Sequence, residues 1–218
     1  NFRIKAGVQR YAAEAGIIVV SPDTSPRGED VPDDPDYGYG QGAGFYLDAT
    51  QEPWSEHFKM YSYILKDLLS AVESNFPADM KRLGVFGHSM GGHGALTIAF
   101  KNPELFKSVS VFAPICAPTK APWGENAFTR YLGEDRNLWQ DYDACDLARA
   151  KGWPSDILID QGEDDEYLAD HLKPELLEQA CEDKGIPIQL RRHSGYDHSY
   201  FFISTFIGDH ILWHSERL

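Results

Sequence analysis

Val85-Phe86-Gly87-His88-Ser89-Met90-Gly91-Gly92-His93-Gly94 is the stretch whose reading decides the fold. Ahead of it, Arg82-Leu83-Gly84-Val85-Phe86 is short and apolar, as a buried strand is. Behind it, Ala95, Leu96, Ile98, Ala99 and Phe100 continue as a helix that stops near Asn102-Pro103. Ser89 therefore stands where a strand turns sharply into a helix, inside G-x-S-x-G. Gly87 and Gly91 suit such a turn, which strains the serine backbone and leaves no room for side chains on either flank. The turn lifts the Ser89 hydroxyl off the sheet edge. It also puts the next backbone N–H, that of Met90, at a helix N-terminus, where a developing oxyanion is favoured. Two glycines and a serine recur by chance; a strand before them and a helix after them is the context a nucleophile elbow demands.

Outward from the elbow, strand and helix alternate. Phe2 to Ala15 reads as helical, closed by Gly16, and Ile17-Ile18-Val19-Val20 as a strand covered on both faces. Pro53 to Phe76 reads as one long amphipathic helix with Met60, Ile64, Leu65, Leu68 and Val72 on its apolar stripe. Downstream, strands are predicted at Val109–Phe112, Ile157–Ile159 and Ile188–Leu190, a helix from about Pro174 to Lys184, and a last helix after Gly195-Tyr196-Asp197-His198-Ser199. The expected fold class is α/β with a mainly parallel sheet, in a single domain over residues 1–218. Residues 117–155, with a Pro-Trp-Gly turn at Pro122 to Gly124, form an insertion of the kind that holds substrate-binding elements.

Composition limits the partners. The chain has 218 residues, 42% of them hydrophobic, with 20 basic against 34 acidic residues and a formal charge of −14. Such an acidic balance argues against nucleic acid and anionic membrane surfaces. Cys116, Cys145 and Cys181 are odd in number, widely spaced and without a CxxC pair, so they read as buried reduced thiols. No apolar run approaches the roughly 20 residues of a membrane span. The acidic stretch Glu29 to Asp36 lacks a histidine and reads as a solvated loop; with no HExxH either, no metal site is expected. The glycine-aromatic segment Gly38 to Tyr46 lacks the strand-and-helix frame of a dinucleotide site and is expected to pack near the active centre.

In a parallel sheet, reacting groups gather beyond the carboxyl ends of the strands. Three such loops carry serine-hydrolase chemistry in the order Ser89, Asp165, His198, which is the chain order of an α/β-hydrolase. Serine needs an imidazole to take its proton, and the imidazole needs a carboxylate to fix its tautomer. His193, at a strand end, is the alternative base, and Asp164 the alternative acid. His88 is expected to pack sideways in the elbow, His93 lies too far along the helix to reach the Ser89 hydroxyl, and His57, His171, His210 and His214 read as surface or core residues.

Pro22-Asp23-Thr24-Ser25-Pro26-Arg27-Gly28, Gly42-Ala43-Gly44-Phe45-Tyr46, the elbow itself, Pro122-Trp123-Gly124, Ile159-Asp160-Gln161-Gly162 and Gly195-Tyr196-Asp197-His198-Ser199 together resemble the S-formylglutathione hydrolases, the esterase D family, over essentially the whole chain. The resemblance implies an α/β-hydrolase fold and a cofactor-free, cytoplasmic serine hydrolase. It also implies cleavage of a glutathione thioester to formate and glutathione, and a homodimer. The family's triad falls on Ser89, Asp165 and His198, its oxyanion donor on Met90, and Trp123 is the candidate pocket wall. Two departures stand out. Gly38 replaces an acidic residue usual before the glycine-aromatic segment. The chain also begins at Asn1, not Met, so the family's first strands and its second oxyanion donor are expected upstream, with one strand between Ile17–Val20 and Leu83–Phe86. A general carboxylesterase, an acyltransferase and a non-catalytic binding protein on the same fold remain the alternatives.

Overall fold

A computed structural model describes residues 1–35 and 38–218; Asp36, the end of the acidic stretch, lies outside the described residues. Four parallel strands form the sheet in the order β1-β2-β3-β4: β1 Leu83–His88, β2 Phe106–Phe112, β3 Ile157–Gly162 and β4 Ile188–His193. Each strand is followed by a helical connection, so the carboxyl ends of all four lie along one rim. The helices Met90–Lys101, Ala144–Lys151 and Pro174–Lys184 pack in series, the first of them against β1 and β2. The C-terminal helix Tyr200–Ser215 packs on β2 and β3, with Val8–Ala15 laid across it.

β2 shows why the sheet holds. Val109 and Val111 are fully buried in one apolar cluster with Leu96, Ile98, Leu177 and Cys181. The alternate residues Ser108 and Ser110 are equally buried, and both bond to His214 on the C-terminal helix. Alternation along a strand sends successive side chains to opposite layers. All three cysteines are buried free thiols.

Three local expectations are corrected. Residues 17–20 join no strand: Ile17 and Val19 pack on the core while Ile18 and Val20 stand 49% and 44% exposed. The β-branched run alternates, one face in and one out, and has no ladder among the described residues because extended backbone becomes a strand only when a neighbour pairs with it. The helix expected from Pro53 starts at Met60. Trp54–Glu56 is a separate 3₁₀ turn whose Trp54 is held edge-on by Tyr39, Phe58 and Tyr131, and the helical run over 60–75 contains a π-helical stretch at Tyr63–Leu68. The N-terminal pattern breaks into Phe2–Lys5 and Val8–Ala15 at Gly7, whose φ is +71°. No helix among the described residues is long and apolar enough to cross a membrane.

Candidate active site

At the end of β1 the chain reaches Ser89 with φ 58° and ψ −119°, a conformation that L-residues occupy only under constraint. The constraint is visible. The Ser89 amide donates to the carbonyl of Phe112 at 2.9 Å, and its own carbonyl accepts from the amides of His93 (3.0 Å) and Ile115 (3.2 Å). A Cβ on Gly87 would lie 2.1 Å from the Gly91 carbonyl oxygen, so only glycine lets strand and helix approach this closely. The helix opens at Met90, whose amide is one of the first-turn N–H groups that have no intrahelical acceptor. His93 is turned away: its Nε2 meets the Phe45 carbonyl at 2.9 Å, anchoring the glycine-aromatic loop beneath the elbow. In that loop Phe45 and Tyr46 both have positive φ, 47° and 52°.

The other two loops are zipped together by backbone. Glu163 N–H donates to His193 O and Asp164 N–H to Tyr196 O, each at 3.0 Å, and a Cβ on Gly162 would meet Tyr196 O at 2.3 Å. This close approach brings Asp165 to His198, with Oδ2 2.5 Å from Nδ1. Asp165 is buried; its other oxygen accepts the Tyr167 amide at 2.9 Å. The neighbouring Asp164 is exposed and makes no such contact with the imidazole. The His198 ring lies 4.4 Å from the ring of His88, the residue before Ser89. The structure thus sets the paired Asp165 and His198 loops beside the end of β1, next to the residue that precedes Ser89. Burial, and then the nearby His198, push the His88 imidazole down to about 3, so it stands neutral beside the His198 ring.

His193 does not join this centre. Its ring stacks on Phe206 at 3.9 Å, and its Nε2 lies 3.2 Å from Asp160 Oδ1 without hydrogen-bond geometry. Trp123 does approach the centre, although not from a turn: Pro122 is the first residue of the helix Pro122–Leu132, the position where its missing N–H costs nothing. The Trp123 ring lies 4.7 Å from Tyr167, and Tyr167 meets His198 edge-on at 5.1 Å. An open cleft runs over this group, lined by Asp164, Glu166, Tyr167, Asp197, His198 and Ser199. His171 reads from the sequence as a surface or core residue, and Tyr167 carries no sequence signal beyond its spacing after Asp165.

A second Ser–His–Asp chain lies in the interior. Ser110 Oγ is 2.8 Å from His210 Nδ1, and His210 Nε2 is 3.2 Å from Asp160 Oδ2. His214 bridges Ser108 (2.6 Å) and Ser110 (2.9 Å). The residue types are those of a triad; the setting is not. Ser110 is in mid-strand, with no helix N-terminus above it, and Ser110, His210 and Asp160 are all 0% exposed. Burial alone would raise the Asp160 carboxyl, but His210 and Arg191 hold it below the usual carboxylate range, and Arg191 grips both of its oxygens at 2.5 Å. Burial drives His214 down to about 3. With neutral imidazoles and an Asp160 carboxylate paired to Arg191, this closed polar network fastens the C-terminal helix to the sheet.

Comparison with known proteins agrees with this architecture. A family model described as "Putative esterase" matches residues 1–213. The S-formylglutathione hydrolase of Paracoccus denitrificans (strain Pd 1222) is 53% identical over 218 residues, which are the whole of this chain and 78% of that protein. The solved S-formylglutathione hydrolase from Agrobacterium tumefaciens superposes with a TM-score of 0.98 at 55% identity, over 100% of this chain and 79% of that one. A fluorophosphonate-binding serine hydrolase of Staphylococcus aureus, 20% identical, shares the fold with a TM-score of 0.74 over 98% of this chain and 77% of its own. With its parallel sheet, its strained elbow and matches of this extent, the chain belongs to the S-formylglutathione hydrolase family of α/β-hydrolase esterases.

Proposed function

We propose that the protein hydrolyses the thioester of S-formylglutathione to formate and glutathione, with Ser89 as nucleophile, His198 as base and Asp165 as its orienter. The observation that carries this reading is the 2.5 Å contact of His198 Nδ1 with buried Asp165, beside an elbow serine at φ 58°. A carboxylate on Nδ1 leaves Nε2 unprotonated to accept the Ser89 proton as Oγ attacks the formyl carbon. The amide of Met90 stabilises the tetrahedral oxyanion. Collapse breaks the C–S bond, and His198 returns the proton to the glutathione thiolate. Water then enters, loses a proton to His198, and releases formate from the formyl-serine while Ser89 regains its proton. The Trp123 ring walls the acyl pocket and penalises larger acyl groups.

Residues 1–218 belong in this reading to one hydrolase domain of a cytoplasmic homodimer that needs no cofactor; sedimentation of the purified protein tests the dimer. The catalytic proposal is tested with a fluorophosphonate probe and a thioester panel. Wild-type protein is expected to label at Ser89 and to prefer S-formylglutathione over S-acetylglutathione and S-butyrylglutathione. Ser89→Ala is expected to lose both labelling and turnover. Equal kcat/KM for formyl and butyryl thioesters points to a broad carboxylesterase, and acyl transfer to added alcohols in place of hydrolysis points to an acyltransferase.

A further inference from the structure

The segment that follows Asp165 makes contacts whose purpose the triad does not explain. Between Leu168 and Leu172 the chain forms a tight π-helical turn that carries His171 onto the face of Trp123, ring centroids 3.8 Å apart and planes within 17°. Trp123 also meets Tyr167 at 4.7 Å, its ring tilted by 48° to the indole. The indole therefore packs against two rings of one short segment, whose first residue, Asp165, orients the base. The His171 Nδ1 atom is buried and has no hydrogen-bond partner among the described residues. A buried donor or acceptor left unpaired carries a free-energy cost, so hydrogen bonding to Nδ1 is not what holds this imidazole there. What the ring does provide is a flat, close-packed surface for the indole.

We propose that His171 is a positioning residue for acyl selectivity: its stacked imidazole fixes the plane of Trp123 and so sets the size of acyl group that fits beside Ser89. The inference rests on the catalytic reading above. Burial lowers the His171 imidazole from its ordinary value, which keeps the stacking ring neutral at pH 7. The helix start at Pro122 fixes the Trp123 backbone, leaving the indole torsions as the freedom that His171 removes. Without the imidazole, the indole has open space on that face and swings away from the acyl group.

The test is a series of p-nitrophenyl esters, formate through butyrate, with wild type, His171→Ala and His171→Phe of the full-length protein. An ester series reads acyl selectivity whether or not glutathione is the natural leaving group, so failure of the substrate assignment is separable from failure of this proposal. One methylene in an apolar pocket discriminates by roughly tenfold or more. His171→Ala is expected to raise the butyrate-to-formate ratio of kcat/KM by about tenfold at an unchanged Tm. His171→Phe, which restores a flat ring, is expected to return the ratio toward wild type. A ratio unmoved in His171→Ala overturns the proposal. So does a ratio that moves equally in both variants, since a lost imidazole, not a lost stacking face, would then be responsible.

Discussion

Lowering the pH from 7.5 to 5 is expected to destabilise this protein well before its carboxylates begin to protonate. His93 is 0% exposed and His214 3% exposed, and burial pushes their imidazoles down to about 4 and about 3. The unfolded chain has ordinary histidines near 6.5. Each folded-state value lies below its unfolded value, so the unfolded state takes up protons first. The stability is complete above about pH 6.5 and is lost as pH falls toward the folded-state values. At pH 5 each of the two costs about 2 kcal/mol, or about 4 kcal/mol together. His88 and His210 are lowered in the same direction and add to the loss. Against a typical net stability of roughly 5–15 kcal/mol, this is a large fraction. Urea denaturation at pH 7.5 and pH 5 measures it. In His93→Gln, the amide nitrogen still donates to Phe45 O and nothing titrates, so the pH-dependent loss is expected to shrink by about 2 kcal/mol. A stability constant within about 1 kcal/mol across this range, or a His93→Gln protein with an undiminished slope, would refute the reasoning.

Three further outcomes follow from the site. His198→Ala and Asp165→Asn are expected to lose about 10³–10⁴ in kcat, while Asp164→Asn, on an exposed neighbour, keeps near wild-type turnover; steady-state kinetics on a nitrophenyl ester decides, and a reversed aspartate pattern moves the acid to Asp164. Ser110→Ala removes a partner of both His210 and His214 and is expected to lower stability by about 1–3 kcal/mol with kcat retained. Loss of activity in a folded Ser110→Ala protein would make the buried chain the reacting one. Gly87→Ala places a Cβ 2.1 Å from a backbone oxygen, and is expected to lower both Tm and probe labelling because that oxygen has no side-chain freedom with which to yield.

Local signals carried the elbow. Gly87 to Gly91 imposes its geometry over five residues, and the helix Pro174–Lys184 is bounded by its own proline and by Gly185, so both were legible without tertiary context. The sequence favours Asp165 but keeps Asp164 as an alternative, because the contact with His198 depends on how Gly162 packs against Tyr196, more than thirty positions away. The interior network was invisible for the same reason. Ser108 and Ser110 look like two polar interruptions of a strand until the C-terminal helix delivers His210 and His214 to them. Ile17–Val20 misled in the opposite sense: its composition is that of a doubly covered strand, but pairing is a property of two segments and composition of one. Trp123 stands out in the sequence by its Pro-Trp-Gly setting, whereas its partner His171 has no pattern of its own to separate it from a surface histidine.

The contact between Gly162 and Tyr196 has a consequence for how such an enzyme diversifies. β2 and β3 are adjacent, yet the chain leaves the sheet at Ala113 and returns at Ile157, and the whole excursion that carries Trp123 hangs from the rim between them. The loops of Asp165 and His198 are tied to each other by their own main chains and not through this excursion. Partly exposed side chains on the excursion, Trp123 among them, can therefore change without loosening those ties, so a lineage is free to exchange what it recognises without rebuilding what it does to it.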